Sequence, residues 1–108
     1  MTSLDQRRAL LAAALGFAHL RWATAPPPPV AVLTRWLETW AGIGAVTAGM
    51  QAQGSDLEFR QFPHGWRANF YPSGLAHSVV VGSAWEPTAG AAVRQAAWRA
   101  IAAALGTP

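Results

Sequence analysis

The chain contains no cysteine, which removes thiol catalysis, thiolate metal ligation and disulfides and fits cytoplasm and periplasm equally. Lysine is absent too. All the basic residues are Arg, at 7, 8, 21, 35, 60, 67, 94 and 99, spread along the chain instead of gathered into the basic stripe usual in nucleic-acid binders. Acidic residues number five, so the pI of 11.2 reflects their scarcity while the net charge is only +3. No His, Asp or Glu spacing matches a zinc or calcium site. Gly42-Ile43-Gly44 follows a helical pattern where a dinucleotide-binding loop needs a preceding strand. No cofactor is therefore expected. No apolar run is long enough to span a bilayer.

What the chain has in excess is tryptophan, six residues in 108. Indoles prefer cores and interfaces, so this count predicts either a heavily aromatic core or an adhesive surface. The length suits one domain.

Ser3 and Gln6 form a capping-box pattern at the start of an N-terminal helix over residues 1–25. Leu4, Leu11, Leu15, Ala18 and Trp22 make one apolar stripe, and Leu10, Ala14, Phe17 and Leu20 widen it. The same stretch also reads as an export signal, with Arg7-Arg8, an apolar run and Ala23-Thr24-Ala25 as a cleavage site. The expected location is cytoplasmic, or exported if residues 1–25 act as that signal. Pro26–Pro29 predicts an extended polyproline linker, with a single α+β domain over 30–108.

Within that domain, Leu33, Leu37, Trp40, Ile43, Val46 and Met50 recur at helical spacing, with Gly42 and Gly44 marking a joint near 41–44 or a close approach. Gly54 stops the segment. Three strands of an antiparallel meander follow: Asp56–Phe62, Trp66–Tyr71 and Leu75–Ser83, the first two joined by a four-residue loop, 62–65. Setting Gln61 opposite Trp66 puts Leu57, Phe59, Trp66, Ala68 and Phe70 on one face, whereas a shift by one residue mixes Glu58 and Arg60 into it. Val79 and Val81 are expected to join the buried face. Thr88 caps a C-terminal helix packed on that face, with Val93, Ala97, Ile101 and Leu105 as its core stripe and Gly106 as its stop.

The register places Arg60 opposite Arg67 and Glu58 opposite Asn69 on the outer face, with Tyr71 nearby. Like charges across a strand pair are unfavourable unless relieved, so Arg60, Arg67, Asn69 and Tyr71 form a candidate contact for an anion or nucleic acid; the plain alternative is a solvated face. Trp36 and Trp40 sit one turn apart, and Leu33, Leu37 and Trp40 already fill one face. Trp36, Trp40 and Trp98 are thus candidates for contact with a protein partner or a second copy. His19, His64 and His77 fall in a helix, a loop and a strand start. Only His77 with Ser78, Tyr71 or Asp56 suggests a catalytic grouping, and no motif fixes it, so the reading leans away from an enzyme.

The run Trp36-Leu37-x-x-Trp40-x-Gly42-Ile43-Gly44, then Gly49-Met50-x-x-Gln53-Gly54, Gly65-Trp66-Arg67-Ala68-x-Phe70, Gly82-Ser83-Ala84-Trp85-Glu86-Pro87 and Ala92-Val93-x-x-Ala96-Ala97-Trp98 resembles a group of short uncharacterised bacterial proteins, from which no activity carries over. In topology alone the helix, three strands and helix are similar to double-stranded-RNA-binding domains, but the Lys cluster those place at the start of the last helix is here Thr88-Ala89-Gly90-Ala91-Ala92. The expected function is a non-enzymatic interaction or self-associating module; the alternative is a small nucleic-acid-binding or mobile-element regulatory protein that uses the Arg face.

Overall fold

The computed structural model describes residues 4–19, 25–74 and 80–104. In chain order they form α1 (Leu4–His19), α2 (Pro28–Leu37), α3 (Trp40–Ala52), β1 (Ser55–Phe62), β2 (Gly65–Pro72), β3 (Gly82–Glu86) and α4 (Ala89–Ala104). The class is α+β, as the periodicity indicates: an antiparallel sheet of order β1-β2-β3 with α4 packed on one face.

Gln61 pairs with Trp66, Phe59 with Ala68 and Leu57 with Phe70, the register that segregates apolar from charged positions. Pairing continues one step further, to Phe62 and Gly65, so the loop shortens from the expected four residues to Pro63-His64. The third strand lies later than expected. It runs over Gly82–Glu86, with Ala84 opposite Ala68 and Trp85 opposite Arg67. Its start is marked by the Val81 amide, which donates to the Phe70 carbonyl at 2.8 Å. Val81 packs at the edge of the core and Val80 is exposed; Val79 and His77 lie outside the described residues.

The reason for the shift is α4. A Cβ at Gly82 would collide with the Ala96 carbonyl oxygen and stand 2.6 Å from the Ala100 amide nitrogen. Helix backbone rests directly on strand backbone there, so the strand's inward positions must be small. Thr88 caps α4, its Oγ1 accepting from the Ala91 amide at 3.2 Å, and Val93, Ala97 and Ile101 are buried beneath it. Leu105 and Gly106 lie outside the described residues, as does Ser3.

The polyproline linker is shorter than expected. Pro28 and Pro29 occupy the first turn of α2, where a missing N–H costs nothing because those amides have no helical acceptor, and Pro27 is the N-cap with φ −52° and ψ 148°. Nor do the prolines hold α1 apart. Leu15 is fully buried in the shared core, with Leu11 and Ala18 packed against it, while Leu10 from the second stripe faces out.

The joint between α2 and α3 falls at Glu38-Thr39, earlier than the glycines suggest. Thr39 Oγ1 caps α3 by accepting from the Gly42 amide at 3.1 Å. Gly42 serves a second purpose: a Cβ there would strike the Trp36 carbonyl oxygen, so its absence lets α2 fold tightly back on α3. At the other end of α3, Gly54 takes a φ of +88° and turns the chain into β1.

The corner at Glu38 is pinned to α4. Thr88 Oγ1 donates to Glu38 Oε2 at 2.8 Å. Arg94 Nη1 stands 3.1 Å from Glu38 Oε1, close enough for an ion pair but out of line for a hydrogen bond. The carboxylate also lies by the N-terminal turn of α4, where the exposed amides favour negative charge.

Candidate functional site

The core decides where the tryptophans go. Between α4 and the sheet it is built from Ala68, Ala84, Ala92, Ala96, Ala97 and Ala100 with Phe70 and Val93, a layer too thin to admit an indole. None of the five tryptophans at described positions is buried; Trp22 lies outside them. The excess of indole is therefore peripheral, and apart from Trp98 it lies on two surfaces on opposite faces of one end of the β1–β2 hairpin.

The first surface is the corner between α2 and α3. Trp40 opens α3 and is 66% exposed, although its ring is held edge-on against Phe59 (6.3 Å between centroids) and Trp66 (5.9 Å). Phe59 and Trp66, neighbours on the sheet's inner face, stack at 4.8 Å and 21°. Their rings brace the indole from beneath, so it is presented to solvent in one orientation. Trp36, on the other side of the joint, is 44% exposed. Instead of lying one turn apart on a single helix, the two residues end one helix and begin the next. Trp98 is placed differently: it is half-buried, and its ring lies against Gly16 of α1, where a Cβ would be 3.3 Å from the six-membered ring.

No protein-family model, curated protein or solved structure matches the chain.

The second surface is the sheet's outer face. Arg60 pairs directly with Arg67, and Glu58 with Asn69, as the register indicates. Arg67 is relieved in part by Glu58, at 3.8 Å, an ion pair too long for a hydrogen bond. Sequence reasoning did not single out the aromatic residues that flank these arginines. With β3 in place, Trp85 falls opposite Arg67 on this face and is half exposed. Its indole reaches across β2 to Phe62, the centroids 4.9 Å apart and tilted 46°. Gly65 permits the crossing, because a Cβ there would be 3.3 Å from the Trp85 indole nitrogen and 2.8 Å from the Glu86 carbonyl oxygen. The Arg67 guanidinium lies 5.3 Å from the Phe62 ring centroid, within cation–π range. Asn69 Oδ1 accepts from Ser83 Oγ at 2.6 Å, and Arg99 reaches from α4 to the Ser83 carbonyl at 2.6 Å. Tyr71 is half-buried toward the far end of this face.

Of the residues weighed for catalysis, His77 and Ser78 lie outside the described residues, while Asp56 of β1 and Tyr71 of β2 are direct cross-strand partners. His64 is exposed in the hairpin loop, and among the described residues no group of three or more His, Asp or Glu is arranged to hold a metal. No helix among them is long and apolar enough to cross a membrane.

Proposed function

We propose that the chain is a non-enzymatic self-associating module that pairs through the α2–α3 corner. The observation that carries this reading is Trp40, two-thirds exposed yet fixed in place by the Phe59–Trp66 stack. An indole already held in one orientation loses little side-chain entropy on docking, the property of an interface anchor. Trp36 extends the apolar area across the joint, with Arg35 exposed beside it, while Glu38 is engaged by Thr88 and Arg94. A two-fold axis through such a corner sets the same apolar patch against itself and buries both indoles at once, which favours a second copy as the occupant.

Covering the exposed part of Trp40 removes about 100–160 Å² from water, taking the usual area of a Trp side chain. At ~25 cal/mol per Å² that is worth about 2.5–4 kcal/mol per copy. Sedimentation velocity across a concentration series tests the reading. Concentration-dependent dimers are expected in the native chain, with association at least ~100-fold weaker in Trp40→Ala and circular dichroism unchanged. A monomer at every concentration, or a dimer indifferent to Trp40→Ala, refutes it.

A further inference from the structure

The outer sheet face is independent of the corner just described, and the two differ in chemistry. The corner is chiefly apolar, whereas the hairpin end of the outer face joins an exposed indole to two guanidinium groups. We infer that this face is a binding site for single-stranded nucleic acid, with Trp85 as the stacking platform and Arg60 and Arg67 as the phosphate contacts.

Three observations lead there. The first is the charge arrangement. Two arginines face each other across adjacent strands, and among the described residues the carboxylate beside them, Glu58, is 3.8 Å from Arg67. A loose pair of that length exchanges readily for a phosphate, which two guanidinium groups hold by short charge-assisted hydrogen bonds. The second is the platform. One side of Phe62 is engaged by the Arg67 guanidinium and its ring also packs on Trp85, which leaves the indole of Trp85 as the exposed π-surface of the set. Stacking requires a base that is free of its duplex partner, and it tolerates any base because each has a π-face. The third is Asn69. Its side-chain oxygen is occupied by Ser83, so its amide N–H groups are what it offers outward, and these suit a phosphate or a base carbonyl.

Duplex fits less well. A duplex keeps its bases paired and stacked on one another, so it engages the arginines but gives Trp85 no free base to stack on, and an acidic peptide likewise leaves Trp85 without a role. The site accommodates two or three nucleotides, since three strands spaced ~4.8 Å apart present a face only ~10–15 Å wide. Sequence preference is therefore expected to be weak.

Fluorescence anisotropy with a labelled oligothymidine or oligouridine at low salt tests the inference, with matched duplex and heparin as competitors. Binding is expected with a log–log salt slope near −1.4, for about two phosphates on a single strand, and with quenching of tryptophan fluorescence. Trp85→Ala is expected to weaken it roughly 5- to 100-fold. Arg60→Glu is the cleaner variant, because it places opposite charges across the strand pair and leaves the fold at least as stable; it is expected to weaken binding at least tenfold. Trp40→Ala is expected to bind normally, which separates this site from the self-association surface. No binding at low salt, preference for duplex, or binding that heparin and an acidic peptide reproduce and Trp85→Ala leaves unchanged each overturns it.

Discussion

Placing a methyl group at position 82 forces the last helix off the sheet. The added Cβ meets the Ala96 carbonyl and lies 2.6 Å from the Ala100 amide nitrogen and 2.7 Å from its Cβ. All of these belong to or are fixed on helix backbone, so no side chain can swing aside. Restoring ordinary contact, which begins near 3.4 Å, requires α4 to retreat by about 1 Å, the amount set by the Ala96 carbonyl. A radial gap of that size forfeits about a quarter to a half of the dispersion attraction between facing atoms, and here it spreads across Ala84, Ala96, Ala100 and their neighbours in one thin layer. Overpacking typically costs about 1–3 kcal/mol, and the upper end applies where only backbone can yield. A cost near 3 kcal/mol lowers Tm by roughly 10–20 °C in a domain of this size. Gly44→Ala is the internal control. It lies in α3 with open space around its Cβ, so the same atom added there stabilises the chain by about 1 kcal/mol through helix propensity. Thermal melts of both variants followed by circular dichroism make the comparison. If Gly82→Ala melts with the native chain, helix and strand are not in backbone contact and the account of β3 given above fails.

Three further outcomes follow from particular contacts. Glu38→Ala strands Arg94, whose side chain is only 18% exposed, and removes a hydrogen bond to Thr88; a loss of about 1–3 kcal/mol is expected, and a double-mutant cycle with Arg94→Ala showing no coupling would contradict it. Arg60→Glu replaces a like-charge cross-strand pair with an attractive one and is expected to stabilise by about 0.5–1 kcal/mol at low ionic strength, with the gain shrinking in urea melts run at high salt. Phe70→Ala empties the largest fully buried side chain among the described residues and is expected to cost about 3–5 kcal/mol, enough for the chain to show no cooperative transition at ambient temperature if its total stability lies at the low end of the usual range.

The parts of the fold legible in the sequence were those set by neighbours along the chain or across one hairpin. Leu57, Phe59, Trp66, Ala68 and Phe70 fix the β1–β2 register because any slip by one residue buries Glu58 and Arg60, and Thr88 announces the last helix by its own capping chemistry. What escaped depends on distant elements. Gly82-Ser83-Ala84 lacks the β-branched residues of a strand, because its inward positions answer to the nearness of α4 and not to strand propensity. Placing the strand too early hid Trp85 from the outer face. The joint at Glu38 is capped locally by Thr39 but is also tied to Thr88, fifty residues away, a contact that no local pattern announces. The tryptophan count raised the right question, but composition does not give the thickness of a core.

The alanine layer beneath α4 divides the chain's freedom to vary into two unequal shares. Inward positions tolerate change in one direction only, toward nothing larger, so drift there is nearly frozen. Trp36, Trp40 and Trp85 stand outside that layer, and exchanging them opens no void in it. Binding preference can thus be rewritten on the periphery while the scaffold beneath stays as it is.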